Sequence, residues 1–284
     1  MDVAQCRDFV REQQPASARL YSERLENACD QLRKILDVRF KSNPFRPLSR
    51  RFAIAHTPRV GSHLLCEGLL RHGAVVEEFF EVPRLASVCA RHGFSTLEAY
   101  CDWLLRKFAV GRVFGVSGGV KILAPLALAG EFPDFLADWR FVHLKRLNIV
   151  KQGVSEFIAL RTGAYKSSKQ PIRALGVGDY DNAKILRAIN ASLAINATWE
   201  EAFKLFAIEP LRLTYEELAA SPAEVIARAA DFLDLRGPPI TDGRFLDPPL
   251  QRQATSLNAE WEARFREENG EFCALHAPTP GVPT

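Results

Sequence analysis

The sequence has little that would mark a secreted, metal-bound or membrane-embedded chain. Its six cysteines (Cys6, Cys29, Cys66, Cys89, Cys101, Cys273) form no C-x-x-C pair and no metal-ligand spacing. Free thiols in a reducing cytosol are therefore expected. No stretch reaches the roughly 18 uninterrupted apolar residues of a membrane span. The longest candidate, Val113 to Ala129, is broken by Lys121, Pro125 and glycines. The first residues, Met1 to Arg7, carry no apolar segment of signal-peptide type, so a cytoplasmic location is expected. Excess charge of one sign is also missing: 37 Lys+Arg against 34 Asp+Glu give a net charge of +3. That balance points to no nucleic-acid partner and suits a protein that holds a compact anion with a few placed Arg and Lys.

What is present is a globular composition, 47% hydrophobic and 25% charged, in 284 residues. Such a chain can bury about three quarters of its unfolded surface. Residues 1–50 read as a helical extension and linker, with helical spacing of Leu25, Cys29, Leu32, Ile35 and Leu36 between Arg19 and Phe40, then Pro44 and Pro47. Residues 51–276 read as the main domain and 277–284, with three prolines from Ala277 on, as a loose tail. An association of copies through the N-terminal helix is left open.

Across the main domain, short apolar runs alternate with helical patterns. Strands are expected at Arg51–His56, within Arg112–Leu123 ending at Lys121, at Arg140–Leu144 and at Pro210–Thr214. Helices are expected at Ser62–His72, Ser95–Val110, Asn148–Thr162 and Asp181–Phe206, and after Ser221, where Pro222 and Glu224 suggest a capping box. This alternation predicts an α/β fold of three layers around a mostly parallel central sheet flanked by helices. Ligands of such sheets bind beyond the carboxyl ends of the strands.

The first strand runs through His56-Thr57-Pro58-Arg59-Val60-Gly61-Ser62-His63 directly into a helix. Amide groups at a helix start, with its positive dipole end, bind phosphate or sulfate oxygens. Gly61 permits close approach, Ser62 adds a hydroxyl and Arg59 a fork of charged donors. A nucleoside-triphosphatase loop would need a Lys after the glycine, and none is there. Read from composition alone, a plain strand-to-helix turn with an exposed Arg fits as well.

The run Thr57-Pro58-Arg59-x-Gly61-Ser62-x-Leu64-Leu65 resembles the 5′-phosphosulfate loop of sulfotransferases that use 3′-phosphoadenosine 5′-phosphosulfate (PAPS). It is most similar to the bacterial family typified by trehalose sulfotransferase. Glu78-Phe79-Phe80 resembles that family's E-F-F run and Gly119-Val120-Lys121 its G-x-K strand. His143-Leu144-Lys145-Arg146 with Gln152-Gly153-Val154-Ser155 resembles its 3′-phosphate motif. Leu213 to Leu218 and Arg252-Gln253-Ala254 resemble later segments.

The resemblance implies a P-loop-like fold and transfer of a sulfuryl group from PAPS to a hydroxyl of a carbohydrate, glycolipid or other small molecule, with PAP as product and no metal. It implies Glu78 as general base and Arg59 as the cation at the bridging oxygen. Gly61, Ser62 and His63 fall at the 5′-phosphate, and Arg146, Ser155 and Arg252 at the 3′-phosphate. Lys121 and Phe80 fall near the acceptor. Glu77, Glu81, His56 and His72 compete with Glu78 for the role of base. Two other readings stand beside this one: a degenerate sulfotransferase-fold binding module, and a P-loop-like kinase.

Overall fold

The computed structural model describes residues 16–38, 40–41, 43–123, 128, 138–165, 169–241 and 255–276. Five strands, β1 (Arg50–His56), β2 (Val76–Glu77), β3 (Val113–Gly118), β4 (Trp139–Lys145) and β5 (Leu211–Thr214), form one sheet in the order β2-β3-β1-β4-β5. Every pairing is parallel. The helices are α1 (Ala16–Ile35), α2 (Ser62–Leu69), α3 (Val82–His92), α4 (Leu97–Phe108), α5 (Ile149–Thr162) and α6 (Asn182–Leu205). They continue with α7 (Tyr215–Ala220), α8 (Pro222–Phe232), α9 (Ser256–Glu268) and α10 (Gly270–Leu275).

Period-two alternation along the strands builds the three layers. Phe52 and Ile54 of β1, with Val142 and Leu144 of β4, pack on one face against Leu65 of α2 and Val225 and Ala229 of α8. Ala53 and Ala55, with Phe114, Val116 and Phe141, face the opposite cluster, which holds Leu104 of α4 and Trp199 and Phe203 of α6. A third cluster joins α5 and α6 to Trp261 and Phe265 of α9, both fully buried. Gly153 allows α5 and α6 to touch: a Cβ there would stand 2.2 Å from Cγ1 of Ile189.

The segment that reads as an extension and linker packs into this same body. Ala28, Cys29, Leu32 and Leu36 are buried in the cluster under α4 and α6, and so is Phe45. The Phe45 ring lies 5.8 Å from Phe114 and edge-on at 6.1 Å to Trp139. After α1, the Asp37 amide donates to the Ser95 carbonyl at 3.0 Å and the Leu97 amide to the Asp37 carbonyl at 2.8 Å. Cys29, Cys66, Cys89 and Cys101 are buried and in no disulfide.

Two local expectations need correction. The strand expected to end at Lys121 ends at Gly118, and Val120–Leu123 forms a 3₁₀ turn. Gly118, at φ +143, leaves the strand geometry. The capping box at Ser221 and Glu224 does not form, because Ser221 also closes α7 with its amide on the Glu217 carbonyl at 2.9 Å. The box is instead one helix earlier. The Thr214 hydroxyl accepts from the Glu217 amide at 3.2 Å, and the Glu217 carboxylate accepts from the Thr214 amide at 2.9 Å.

His143 of β4 is fully enclosed, its Nδ1 3.2 Å from Glu200 of α6. Burial and the nearby Lys145 charge push its pKa down to about 4, with Glu200 opposing. Burial alone would raise Glu200, but hydrogen bonds from Arg212 and Lys145 outweigh it and hold the carboxyl at about 2. Unfolded, His143 takes a proton near pH 6.5, so acid costs stability between that value and about 4. Over that window the loss is about 3 kcal/mol, at roughly 1.4 kcal/mol per unit. Urea denaturation at pH 7 and pH 4.5 should give a shallower acid loss for His143→Asn than for the unsubstituted chain. Equal losses would mean that His143 is charged in the folded state.

Candidate active site

The carboxyl ends of β1, β3 and β4 open on a cleft of about 1620 Å³. The loop from β1 to α2 forms its floor. Gly61 sits at φ +80 as the N-cap of α2, and no side chain caps the helix. The amides of that first turn are thus left without intrahelical acceptors at the positive end of the dipole. An alanine Cβ at Gly61 would meet Cδ2 of Tyr215 at 3.0 Å, so both conformation and space call for glycine. Val60 is buried beneath the loop beside Leu144 and Leu218.

Arg59 has the left-handed φ of +64, which costs a non-glycine residue about 1 kcal/mol. Bonds to three other residues help to hold it. Its Nε donates to Ser155 Oγ at 3.0 Å, one Nη to the Tyr165 carbonyl at 2.6 Å, and its own carbonyl accepts from Arg146 Nη1 at 3.2 Å. The Arg146 guanidinium lies 4.3 Å over the ring of Tyr215, and its Nε is buried with no hydrogen-bond partner among the described residues. Burial lowers the pKa of both arginines. Glu156 opposes this at Arg59, and Tyr215 and Glu216 oppose it at Arg146.

Gln152, fully buried in α5, ties this loop down. Its Nε2 lies 2.7 Å from Thr57 Oγ1, 2.8 Å from the Pro58 carbonyl and 3.3 Å from Ser192 Oγ of α6. The start of α5 is filled internally. The Glu216 carboxylate accepts from the Leu147 and Asn148 amides at 3.0 and 3.1 Å, and Asn148 Oδ1 caps the Lys151 amide at 3.0 Å.

On the far wall, Glu77-Glu78-Phe79-Phe80 follows β2. The Tyr100 hydroxyl donates to the Phe79 carbonyl at 2.5 Å. Glu77 is paired with Arg84 at 2.5 Å. Glu78 is 38% exposed and has Oε1 3.7 Å from Nε2 of the buried His56. Glu81 is exposed at the start of α3. Phe79 and Phe80 are each 1% exposed, Phe79 stacked on Phe114 and Phe80 edge-on to Tyr100, so the rings are core beneath the loop.

Of the residues singled out in the sequence, Arg59, Gly61, Ser62, His63, Arg146 and Ser155 line this one cleft. Glu78 and an edge of Phe80 line it too. His72 lies in the 3₁₀ turn after α2. Lys121 is in the turn after β3, with its side chain outside the described residues, as is the whole of Arg252. Sequence reasoning missed Gln152 as a tie, Tyr215 and Glu216 as the support of Arg146 and α5, and Glu156. Glu156 has one oxygen buried without a hydrogen-bond partner, and burial raises its pKa against the pull of Arg59. The T-x-x-E spacing of Thr214 and Glu217 is the sequence signal for the turn that presents Tyr215 and Glu216. Nothing local announces Glu156.

A second cavity of about 390 Å³ adjoins at Arg59 and Ser155, lined further by Ile158, Thr162, Leu175 and Leu257. Among the described residues, no group of three His, Cys, Asp or Glu side chains is placed to hold a metal ion. No helix there is long and apolar enough to cross a membrane.

Residues 129–268 match the family described as Stf0 sulphotransferase. Trehalose 2-sulfotransferase of Mycolicibacterium smegmatis is 27% identical over 133 residues, 46% of this chain and 47% of that protein. Trehalose 2-sulfotransferase of Mycobacterium tuberculosis is 27% identical over 144 residues, 51% of this chain and 49% of that protein. The matches span about half the length of these relatives. A crystal structure of a sulfotransferase from Alicyclobacillus acidocaldarius covers 79% of this chain and 94% of its own, at 17% identity and a TM-score of 0.42. The five-stranded parallel sheet, its loop suited to an anion and the match over residues 129–268 make this chain similar to proteins of the sulfotransferase class. Within that class, the family match and the two relatives place the likeness with trehalose sulfotransferases.

Gln152→Leu tests the tie. It leaves the Thr57 hydroxyl and Pro58 carbonyl buried without their donor, at a cost of about 2 kcal/mol. Urea denaturation should report that loss. A change below about 0.5 kcal/mol would mean that the loop is held by its backbone alone.

Proposed function

We propose that this protein is a sulfotransferase that moves a sulfuryl group from PAPS to a hydroxyl of a carbohydrate, glycolipid or other small molecule, with Glu78 as general base. The observation that carries this reading is the convergence of Arg59, Arg146, Ser155 and the uncapped start of α2 on one cleft. That cleft is also lined by Glu78. The buried, unbonded Nε of Arg146 fits an anion better than an internal partner.

The residues have distinct tasks. The first-turn amides of α2, with Ser62 and His63, would hold the 5′-phosphate, and Arg146 with Ser155 the 3′-phosphate. The donor supplies an activated sulfuryl group on a phosphate leaving group. Arg59, fixed from three sides, stabilises charge that develops on the bridging oxygen without having to reorganise. Glu78 takes the proton of the acceptor hydroxyl. Glu77 is less suited to that task because Arg84 already occupies it. The relatives are named for a trehalose acceptor. For this chain we propose the broader class of hydroxyl acceptors.

Calorimetric titration with PAP, beside AMP, ADP and Mg·ATP, tests the donor site. Micromolar PAP binding should exceed AMP binding by about tenfold or more, and Arg146→Ala should remove most of that preference. Glu78→Gln should retain PAP binding while slowing transfer by about a hundredfold or more. Equal affinities for PAP and AMP would overturn the 3′-phosphate assignment. Mg²⁺-dependent ATP binding would favour a kinase.

A further inference from the structure

His56 is the last residue of β1 and is 4% exposed, yet it borders the cleft. Its Nδ1 lies 3.0 Å from the Thr57 carbonyl. A carbonyl only accepts, so Nδ1 carries the proton of the neutral ring and Nε2 keeps a lone pair. That Nε2 is buried, has no hydrogen-bond partner among the described residues and faces Glu78 Oε1 at 3.7 Å. A lone pair and an ionised carboxylate cannot bond, which accounts for a gap longer than a hydrogen bond. One proton placed between them would close it.

We propose that His56 is the positioning residue of Glu78: the proton that Glu78 takes comes to lie between its Oε1 and Nε2 of His56. This rests on the sulfotransferase reading. In that reaction the acceptor O–H bond breaks and its proton passes to Glu78. The oxygen's electron pair forms the new bond to sulfur, and the old sulfur–oxygen pair leaves with the donor's phosphate. The shared proton returns to water once the product has left. Burial lowers the pKa of His56 and so keeps the ring neutral and ready to accept, while the Glu78 charge and the Thr57 carbonyl oppose that lowering. From the other side of the cleft, Glu156 of α5 faces Glu78; burial and the Glu78 charge raise its pKa, against the pull of Arg59. The arrangement strengthens the base only at the moment it accepts a proton, because the hydrogen bond does not exist before.

The two ring nitrogens can be separated by substitution. Asn at position 56 can keep the contact to the Thr57 carbonyl but not reach Glu78. Gln can reach Glu78 and accept its proton. With PAPS and a working acceptor, His56→Asn should lower kcat about tenfold, leaving the donor KM and PAP affinity unchanged and shifting the acid limb of the kcat profile. His56→Gln should retain more activity than His56→Asn. A purely structural histidine would give the opposite order.

Nitrogen-15 NMR of the histidine rings in the full chain decides the pairing without any transfer assay. Unsubstituted protein should have His56 in the Nδ1–H form at pH 7. Glu78→Gln should lower the His56 midpoint, the effect of a lost neighbouring charge. An Nε2–H tautomer, an unmoved midpoint, or a ring neutral down to acid unfolding in both proteins would overturn the proposal. This arm keeps His56 itself in place, so it does not depend on the folding of a position-56 variant. A chain that neither binds PAP nor transfers sulfuryl, yet passes the NMR test, would sink the sulfotransferase reading and leave the pair standing.

Discussion

The buried amide of Gln152 is the contact on which the cleft depends. One side chain on α5 reaches the hydroxyl and the carbonyl of two consecutive loop residues, Thr57 and Pro58, and also Ser192 of the next helix. It can do so because Gly153 beside it lets α5 lie directly on Ile185 and Ile189 of α6. The loop after β1 is therefore not held by its own sequence. It is held by the packing of two helices behind it, and that packing is completed by Trp261 and Phe265 of α9. Anything that loosens the helix pair loosens the loop.

That anchoring allows an electrostatically awkward arrangement. Arg59 and Arg146 are neighbours of like charge, each with its pKa lowered by burial. Arg59 also sits in a backbone conformation that few arginines adopt. Such a pair lowers its energy most when an anion lies beside it. Two strand–loop–helix units end at this cleft, and they are treated differently. At α5 the helix start is closed by Asn148 and by the carboxylate of Glu216. At α2 it begins with a glycine and has no side-chain cap. The internal carboxylate satisfies one helix dipole and supports Arg146, so the other dipole and the two guanidiniums are what a bound anion would meet.

Much of this was readable from the chain. The strands and helices around the sheet follow the period of their apolar residues, because burial on both faces of a parallel sheet demands it. The loop itself could be read from Arg59, Gly61 and Ser62 only together with the motifs that follow them, since glycine before a helix start also serves plain turns. The contacts that give the loop its shape were not readable. Gln152 and Glu216 act across 94 and 68 residues of chain, and no local pattern encodes such reach. The N-terminal segment misled for a related reason. Its prolines and charges look like a linker, while Phe45 and the apolar side of α1 are buried by partners far along the chain.

The same limit applies to the choice among three nearby glutamates, and here geometry supplies what spacing does not. Glu77, Glu78 and Glu81 are equivalent in sequence as acidic residues around two phenylalanines. Burying Phe79 and Phe80 fixes the path of the backbone, and the Tyr100 hydroxyl locks the Phe79 carbonyl. With the path fixed, adjacent side chains must diverge. Glu77 leaves toward Arg84 and is neutralised there, and Glu81 comes out at the exposed start of α3. Glu78 alone is turned toward the end of β1, where a ring nitrogen with no other partner stands opposite it. Glu78 is partly exposed and, among the described residues, is paired with no Lys or Arg. The hydrophobic anchoring of two rings thus sets which of three neighbouring carboxylates stands beside His56.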